Sequence, residues 1–526
     1  MNTASLSPAT PSGPSATDPA HDTGFFGHPR GLFVCFATEL WERFSFYGMK
    51  YLLLLYLTKY HLFSDSNGLE VLGSYAALVY AMPVIGGLLA DRYLGMRKAV
   101  VFGGILLVLG HLGMAVEGEQ ARNEGGQILR DEGAIQVFYF SLALIVIGVG
   151  FLKPNISTIV GRLYQRDDPR RDAGFTIFYM GINLGAFAAT LLCGYLGETY
   201  GWRYGFGAAG LGMLVGLATF LRGQRHLHGQ AEPTDPARLQ EKSALGISKE
   251  FTIYLGGLLA VGAAWQMLQF HGGVGLLLNV LAVLVITGLA WFIIFRCDPV
   301  ERSRMLVLII LTMSTVVFWA LFEQSAASMT LFADRVMDRT LLGMELTASQ
   351  FGAMNAFFIF VFAPLFAWLW TALGQRKLEP STPVKFALGI AQAGLGFGAL
   401  VIGAGSPNEA GLVTAYWMVL AYLLHTTGEL CLSPVGLSAV TKLAVPSVVG
   451  VMMGSWFLAT AYSEFVAVQL AKLAALETTD GTISDISTAL ASYTQLFTDL
   501  CYVGPGFGAL LLLVSPLLKK MMHGIH

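Results

Sequence analysis

The most informative stretch of this sequence is GLLADRYLGMRKAV, residues 87–100, because part of it recurs in the second half of the chain. The later stretch is WLWTALGQRKLEP, residues 368–380, and the two share the motif Leu-Gly-x-Arg-Lys. In both places the motif closes a long apolar run. Such a recurrence indicates a chain built from two structurally related halves.

Long apolar segments dominate the rest of the chain. Of its 526 residues, 55% are hydrophobic and 13% are charged, which is roughly half of the ~25% charge that is usual in soluble proteins. An apolar segment of about 20 residues can cross a ~30 Å hydrocarbon layer as a helix. The pattern predicts fourteen spanning helices, at approximately 31–58, 70–91, 99–117, 135–161, 173–197, 203–222, 250–270, 273–295, 304–333, 347–373, 383–404, 412–441, 445–471 and 490–518.

The distribution of lysine and arginine predicts the orientation of these helices. If both termini are cytoplasmic, 22 of the 32 basic residues lie in cytoplasmic segments, 7 in outer segments and 3 within spans. An excess of this kind is typical of the cytoplasmic side of a membrane. The net charge near zero argues against binding of nucleic acid. The N-terminal residues lack the basic and apolar regions of a signal peptide.

A second recurrence supports the interpretation of two related halves. GVGFLKP (148–154) in the fourth span and GELCLSP (428–434) in the twelfth match in spacing. Two six-helix bundles related in this way form the major facilitator fold, an all-α membrane fold. We expect a disordered tail at 1–27, an N-terminal bundle at 28–223, a cytoplasmic linker at 224–249, an inserted helix pair at 250–296, a C-terminal bundle at 297–520 and a tail at 521–526.

The first span contains charged side chains at a depth where each costs at least about 2.5–3.5 kcal/mol. One stripe of this helix holds Glu39, Glu42, Arg43, Tyr47 and Lys50, and this stripe must face the interior of the bundle. Two carboxylates face one guanidinium, so one carboxylate has no cationic partner of its own. Such a buried carboxylate can exchange a proton. The alternative interpretation is a static ion pair that holds two helices together.

Other spans also contain charged side chains. Lys153 precedes Pro154 in the fourth span, Glu429 lies in the twelfth and Glu323 in the ninth. Because the fourth and twelfth spans are counterparts in the repeat, we expect Lys153 and Glu429 to meet between the halves. The alternative for each single residue is that its charged end reaches the membrane surface. Glu464, in the thirteenth span, has no partner that the sequence reveals.

Uncharged polar side chains occupy apolar surroundings in the same spans. Each of them either belongs to a binding site or is a core residue whose polar atoms are satisfied by neighbours. Tyr179 and Asn183 stand one helical turn apart, and Ser433 stands one turn from Glu429. The set comprises Tyr80, Tyr179, Asn183, Trp319, Asn355, Ser433 and Trp456.

These residues lie in segments that resemble the proton-dependent oligopeptide transporter family of the major facilitator superfamily. ELWERFSFYG (39–48) is similar to the family's first-helix motif ExxERFxxYG. GGLLADRYLG (86–95) resembles its loop signature, FYMGINLGA (178–186) its fifth-helix signature and GELCLSPVGLS (428–438) its tenth-helix signature. The resemblance extends from about residue 24 to the C-terminus. The chain departs from the family pattern at Lys50, where arginine is common, and at Phe46, where tyrosine is frequent.

The resemblance implies a symporter of the bacterial inner membrane, with no enzymatic activity, that imports di- and tripeptides by alternating access. Protons would be the coupling ion, and neither a metal nor another cofactor is implied. The proton-coupling group would be Glu39, Glu42, Arg43 and Lys153. The substrate-binding group would be Tyr47, Lys50, Tyr80, Tyr179, Asn183, Trp319, Asn355, Glu429, Ser433 and Trp456. We expect Lys50 with Glu323 to close the outer side and Lys153 with Glu429 to close the cytoplasmic side.

Other functions stay open at this point. A related symporter could carry nitrate or a peptide-like drug, although a pocket with Glu429 and Glu323 beside Lys50 and Lys153 suits a dipolar solute better than an inorganic anion. An intramembrane enzyme is disfavoured, because the sequence contains neither HExxH nor GxSxG. A membrane sensor that does not transport its ligand also stays open, and only a measurement of solute flux would distinguish it from a transporter. The expected partners are peptides, protons and the lipid bilayer, and the sequence sets no oligomeric state.

Overall fold

The computed structural model describes residues 22 and 24–525, except 166, 167, 234, 245, 479 and 480. Within these residues, fourteen long helices coincide with the fourteen predicted spans, which confirms the predicted all-α membrane fold. Twelve of these helices are long and apolar enough to cross a membrane. The other two, the first and the twelfth, contain buried charged side chains. Most of the predicted N-terminal tail lies outside the described residues.

The first half of the chain forms six long helices. α1 is Arg30–Leu55 and α2 is Asp65–Leu89, and each continues into a π-helical turn, at Tyr56–Tyr60 and Ala90–Leu94. The other four are α3, Met96–Met114; α4, Glu132–Arg162; α5, Arg171–Tyr200; and α6, Trp202–Gly223. A hairpin of β1, Arg122–Glu124, and β2, Gln127–Leu129, connects α3 to α4.

An additional helix pair separates the two halves in sequence. It comprises α8, Lys249–Gln269, and α9, His271–Arg296, after a short α7, Pro236–Gln240. α8 packs against α4 of the first half, and Lys98 Nζ donates a hydrogen bond to Glu250 Oε1 at 2.6 Å. On the other side, the Tyr462 hydroxyl of the second half donates to Asn279 Oδ1 at 3.0 Å. The inserted pair therefore contacts both halves.

The second half repeats the six-helix arrangement. Its six long helices are α10, Pro299–Phe322; α12, Ala353–Gln375; α13, Thr382–Ala404; α14, Ala415–Leu443; α15, Val449–Ala471; and α16, Ile486–Met521. A short helix, α11, Ser328–Arg335, follows α10. β3, Met337–Asp338, pairs in parallel with β6, Val413–Thr414. β4, Thr340–Leu341, pairs antiparallel with β5, Met344–Glu345. These short strands connect the ends of the helices.

The two halves share the same close helix packing. A Cβ on Gly148 of α4 would lie 2.8 Å from the carbonyl oxygen of Gly103 in α3. A Cβ on Gly428 of α14 would lie 2.6 Å from the carbonyl oxygen of Gly389 in α13. Only glycine allows two helix backbones to approach this closely. The sequence repeat at 148–154 and 428–434 therefore corresponds to a repeat in packing.

The ninth predicted span, 304–333, is not one continuous helix. α10 ends at Phe322, a 3₁₀ turn covers Glu323–Ala326, and α11 begins at Ser328. At this break Gln324 Nε2 donates to the carbonyl oxygen of Ala467 in α15 at 2.8 Å. The side chain of Glu323 leaves the break toward α1. Hydropathy does not detect the break, because it is held by polar contacts to neighbouring helices.

The halves meet along α2 with α15 and along α5 with α12. We call the side at which α1 begins, and at which α14 and α16 end, the proximal side. The side at which α1 ends and α2 begins is the distal side. The charged stripe of α1 runs from the proximal half of the bundle at Glu39 to the distal half at Lys50.

Candidate functional site

The charged stripe of α1 begins with a compact group of two acids and one base. Arg43 donates to Glu42 through Nε at 2.5 Å and through Nη2 at 2.7 Å. Its Nε lies 3.4 Å from Oε1 of Glu39. All three side chains are buried, and Glu39 Oε2 has no hydrogen-bond partner among the described residues. Glu42 thus holds both bonds of the guanidinium, and the less engaged carboxylate is that of Glu39.

Lys153 lies beside this group without joining it directly. It stands in the middle of α4 next to Pro154, and in the part of the chain that the structure describes it forms no ion pair. Its ammonium lies 4.6 Å from the centre of the Tyr80 ring, a distance that allows a cation–π contact. Glu39, Glu42 and Arg43 are near enough to act on its charge. A change of charge at Glu39 therefore acts on Lys153 through space.

Lys50 lies at the distal end of the charged stripe of α1, where it connects the two halves of the protein. Its ammonium donates to Glu323 Oε2 at 2.7 Å and to Glu464 Oε1 at 3.0 Å. The same ammonium lies 5.9 Å from the centre of the Tyr80 ring, so one tyrosine lies against both Lys50 and Lys153. Two acids from different helices of the second half thus share one lysine of the first half.

Glu464 was missed by the sequence argument as a partner of Lys50. Its position inside the thirteenth span marked it as unusual, but nothing in the sequence shows which helix α15 contacts. The partner follows from the packing of α15 on α2 and α10, which brings residue 464 to the stripe of α1. The usable signal was the charge itself, at a depth where an unpaired charge is costly.

The second half contributes an acid held by an amide. Asn355 Nδ2 donates to Glu429 Oε2 at 3.0 Å and to Thr426 Oγ1 at 3.1 Å. One turn further along α14, the buried Ser433 hydroxyl has no hydrogen-bond partner among the described residues. Trp456 of α15 is buried against Gly436 of α14. These contacts place Glu429, Ser433 and Trp456 along the same stretch of α14.

The aromatic residues of the predicted site lie between these charged groups. Tyr47 stacks on Tyr51 with ring centres 6.4 Å apart, and Trp319 packs edge-on against Phe322 at 5.2 Å. Tyr179 is 46% exposed within α5, although Asn183 one turn away is buried and donates to its carbonyl oxygen at 3.1 Å. The Tyr179 side chain is therefore only partly enclosed by its neighbours, whereas that of Asn183 is packed.

Of the two predicted gate pairs, one is in contact in this structure and the other is not. Lys50 and Glu323 are hydrogen-bonded. Lys153 contacts Tyr80, whereas Glu429 contacts Asn355, and no ion pair joins them among the described residues. The structure therefore brings the halves together at Lys50 and leaves them apart at Lys153.

Further contacts hold the halves together on the distal side. Arg335 of α11 donates to both carboxylate oxygens of Asp65 at 2.6 Å, and to the Tyr493 hydroxyl at 3.1 Å. Lys59 donates to Asp334 at 2.7 Å. From the sequence, Arg335 and Lys59 are two of the seven basic residues in outer segments. Residues at helix ends are ordinarily in contact with water, so the sequence does not predict these ion pairs.

Breaking the pair between Asp65 and Arg335 is expected to be costly. The two side chains are 0% and 4% exposed, and leaving one such charge unpaired costs about 3–5 kcal/mol. Asp65→Asn should therefore lower the thermal midpoint of the purified protein strongly. The matched control is Glu70→Gln, which breaks the half-exposed pair with Lys472 at 2.5 Å and should cost about 1 kcal/mol or less. Equal midpoints for the two variants would contradict this assignment.

A histidine at the distal end is unsuited to carry the proton. His61 lies between α1 and α2 and is completely buried. Burial, followed by the nearby Arg130 cation, lowers the pKa of His61 to about 4. Its imidazole is therefore neutral at physiological pH. Among the described residues, no group of three or more His, Cys, Asp or Glu side chains could hold a metal ion.

Known proteins with the same architecture match almost the entire chain. The model of the POT family matches residues 97–489. An uncharacterized transporter of Bacillus subtilis, YclF, is 40% identical over 95% of this chain and 96% of its own length. Dipeptide and tripeptide permease A of Cronobacter turicensis is 32% identical over 94% of each chain.

A solved structure gives the same result for the fold. The peptide transporter POT, as a mutant in complex with alafosfalin, is 36% identical, with a TM-score of 0.78 over 97% of this chain and 98% of that chain. The motifs, the two six-helix halves and these matches agree. This chain is an integral membrane protein that belongs to the POT family.

Proposed function

We propose that this protein is a proton-coupled symporter that imports di- and tripeptides by alternating access. The observation that carries the proposal is the polar stripe of α1, which contains both a partly engaged carboxylate, Glu39, and Lys50. Lys153 of α4 lies near Glu39, and the ring of Tyr80 lies against both lysines. A proton on Glu39 and a peptide at Lys50 would thus act on one network. Substrate transport of this kind needs no metal or organic cofactor.

The charges of the site suit a solute with an acid at one end and an amine at the other. Lys50 and Lys153 can bind a carboxylate, and Glu429, held by Asn355, can bind an ammonium. Tyr47, Tyr80, Tyr179, Asn183, Trp319, Ser433 and Trp456 would line the space between these two ends. Aromatic walls accept varied side chains without demanding one hydrogen-bond pattern. The Cronobacter relative is named for dipeptides and tripeptides, which supports this assignment.

The proton-coupling group is proposed to be Glu39, Glu42, Arg43 and Lys153. Glu42 keeps Arg43 bound in a bidentate pair, so Glu39 is the carboxylate that can gain a proton at the smaller cost. Protonation of Glu39 would remove a negative charge near Lys153. The lysine would then bind the carboxylate of a peptide more strongly, and this is how proton and peptide would be coupled.

The orientation follows from the distribution of basic residues. The excess of lysine and arginine on the proximal side assigns that side to the cytoplasm of a bacterial inner membrane. The ion pairs at Lys50 and at Asp65 then close the outer side, so the structure corresponds to a state closed to the outside. We propose that the chain is divided into an N-terminal helix bundle at 28–223, a cytoplasmic linker at 224–249, an inserted helix pair at 250–296 and a C-terminal helix bundle at 297–520.

The cytoplasmic gate is proposed to be the pair of Lys153 and Glu429, which would form when the outer pairs open. Single substitutions that remove either charge should reduce uptake. Exchanging the charges, as Lys153→Glu with Glu429→Lys, should restore part of the activity that the single variants lose. The measurement is a double-mutant cycle on uptake rates, and purely additive effects would reject the pair.

The peptide assignment is tested by competition for proton-driven uptake of labelled dialanine. Unlabelled di- and tripeptides of mixed sequence should compete, because both of their ends match charged groups of the site. Alanine, N-acetyl-dialanine and tetra-alanine should compete poorly, because each has a wrong length or lacks the ammonium. Competition by nitrate or free amino acids without competition by dipeptides would reject peptides as the cargo. Nitrate is disfavoured, because Glu429 and Glu323 lie in the same space as the lysines.

A further inference from the structure

A basic cavity lies at the proximal end of the second half, away from the proposed peptide site. The volume of this cavity is about 650 Å³. The cavity lies between the proximal ends of α12, α13, α14 and α16. Four lysines and one acid line it, namely Lys377, Lys385, Lys442, Lys519 and Glu379.

The lysines of this cavity differ in burial and in the ion pairs that they form. Lys385 is buried, donates to Glu379 Oε1 at 2.5 Å and lies 4.6 Å from the centre of the Trp370 ring. Lys377 and Lys519 are exposed, and neither forms an ion pair within the described part of the chain. Because the one acid of the cavity, Glu379, pairs with Lys385, the charges of Lys377 and Lys519 give the cavity an excess of positive charge.

The neutral groups of the cavity also favour an anion. α13 begins at Thr382, and its N-cap residue Ser381 makes no side-chain hydrogen bond to the helix. Both residues line the cavity, and Thr382 is 7% exposed. In the first turn of α13, the N–H groups of Thr382 and Val384 can attract an anion, whereas Pro383 has no N–H. Lysines, hydroxyls and amide N–H groups together are the donors that bind phosphate.

We propose that this cavity binds a phosphate group, supplied by the headgroup of an anionic phospholipid. The cavity lies where spanning helices leave the membrane on the basic side, where such headgroups bind in basic pockets between helices. Leu378 follows Lys377 and Leu517 stands two residues before Lys519; they are 66% and 59% exposed and would contact the acyl chains. Pro434 and Ser438 of α14 also line the cavity, so the lipid would hold the proximal part of this helix against its neighbours. The proposal does not depend on which solute is transported.

The test is binding of phosphatidylglycerol and phosphatidylcholine to the purified full-length protein, measured by native mass spectrometry. The test variant is Lys377→Gln with Lys519→Gln. The control variant is Arg376→Gln with Lys520→Gln, which removes the same charge from exposed neighbours that do not line the cavity. Each lysine that contacts the bound headgroup contributes a factor of about five, so the test variant should bind phosphatidylglycerol about 25-fold more weakly. The control variant should bind it like the unaltered protein.

A second arm distinguishes the source of the phosphate. Inorganic phosphate and glycerol 3-phosphate are added to compete with phosphatidylglycerol. Weak competition supports a lipid headgroup, and strong competition supports the same site with a soluble phosphate as its ligand. Equal losses in the two variants, no loss in the test variant, or equal binding of the two lipids would overturn the proposal.

Discussion

Glu39→Gln is expected to abolish proton-driven accumulation of peptide and to leave peptide exchange intact. The substitution keeps the shape of the side chain but removes the carboxylate that is least engaged with Arg43. One proton that crosses ~100 mV supplies about 2.3 kcal/mol, which is roughly a fifty-fold concentration ratio. The variant should lose this accumulation entirely. Uptake is measured in proteoliposomes with an inward proton gradient, and exchange is measured with equal pH on both sides.

Glu42→Gln is the matched control for this prediction. It removes the bidentate partner of Arg43, so we expect a loss of folding stability as well as a loss of uptake. Leaving a buried guanidinium without its main partner costs several kcal/mol. If Glu39→Gln reduces exchange as strongly as it reduces driven uptake, Glu39 has a structural role and the assignment of the proton to it is wrong.

Lys50→Gln is expected to reduce uptake by a hundredfold or more. The substitution leaves Glu323 and Glu464 buried without the ammonium that both of them bind, and an uncompensated buried charge costs about 3–5 kcal/mol. The same substitution removes the cation that we assign to the peptide carboxylate. Initial rates of dialanine uptake, normalised to the amount of folded protein, measure the effect.

Two further variants separate the roles of Lys50. Lys50→Arg keeps the positive charge and offers a fork of donors that suits carboxylates, so it should retain uptake with an altered KM. Glu464→Gln leaves the pair of Lys50 and Glu323 in place and should have a smaller effect than Lys50→Gln. If Lys50→Gln transports dialanine at the rate of the unaltered protein, Lys50 neither binds substrate nor closes the outer side.

The spanning helices could be predicted from the sequence, because burial in lipid leaves a continuous apolar signal. All fourteen predicted spans coincide with helices among the described residues. The break after Phe322 could not be predicted, because it is stabilised by contacts of Glu323 and Gln324 with other helices. The hydropathy of a segment indicates whether its side chains prefer an apolar environment. It contains no information on which helices pack against that segment.

The site could be predicted as a set of residues but only partly as a set of contacts. Charges inside spans are costly, so the sequence marks Glu39, Lys50 and Glu464 as unusual. The partner of Glu464 depends on how α15 packs, which no local pattern specifies. Asp65 and Arg335 were overlooked for a different reason. They stand at helix ends, where a charge is ordinarily in contact with water, and only the meeting of the two halves buries them.

The most direct test of proton-coupled peptide transport is uptake of labelled dialanine into proteoliposomes with and without an inward proton gradient. Proton coupling predicts accumulation above the external concentration when the gradient is present, and only equilibration when an ionophore dissipates it. Accumulation that is the same with and without the gradient would contradict proton coupling. The absence of dialanine uptake under both conditions would contradict peptide transport itself.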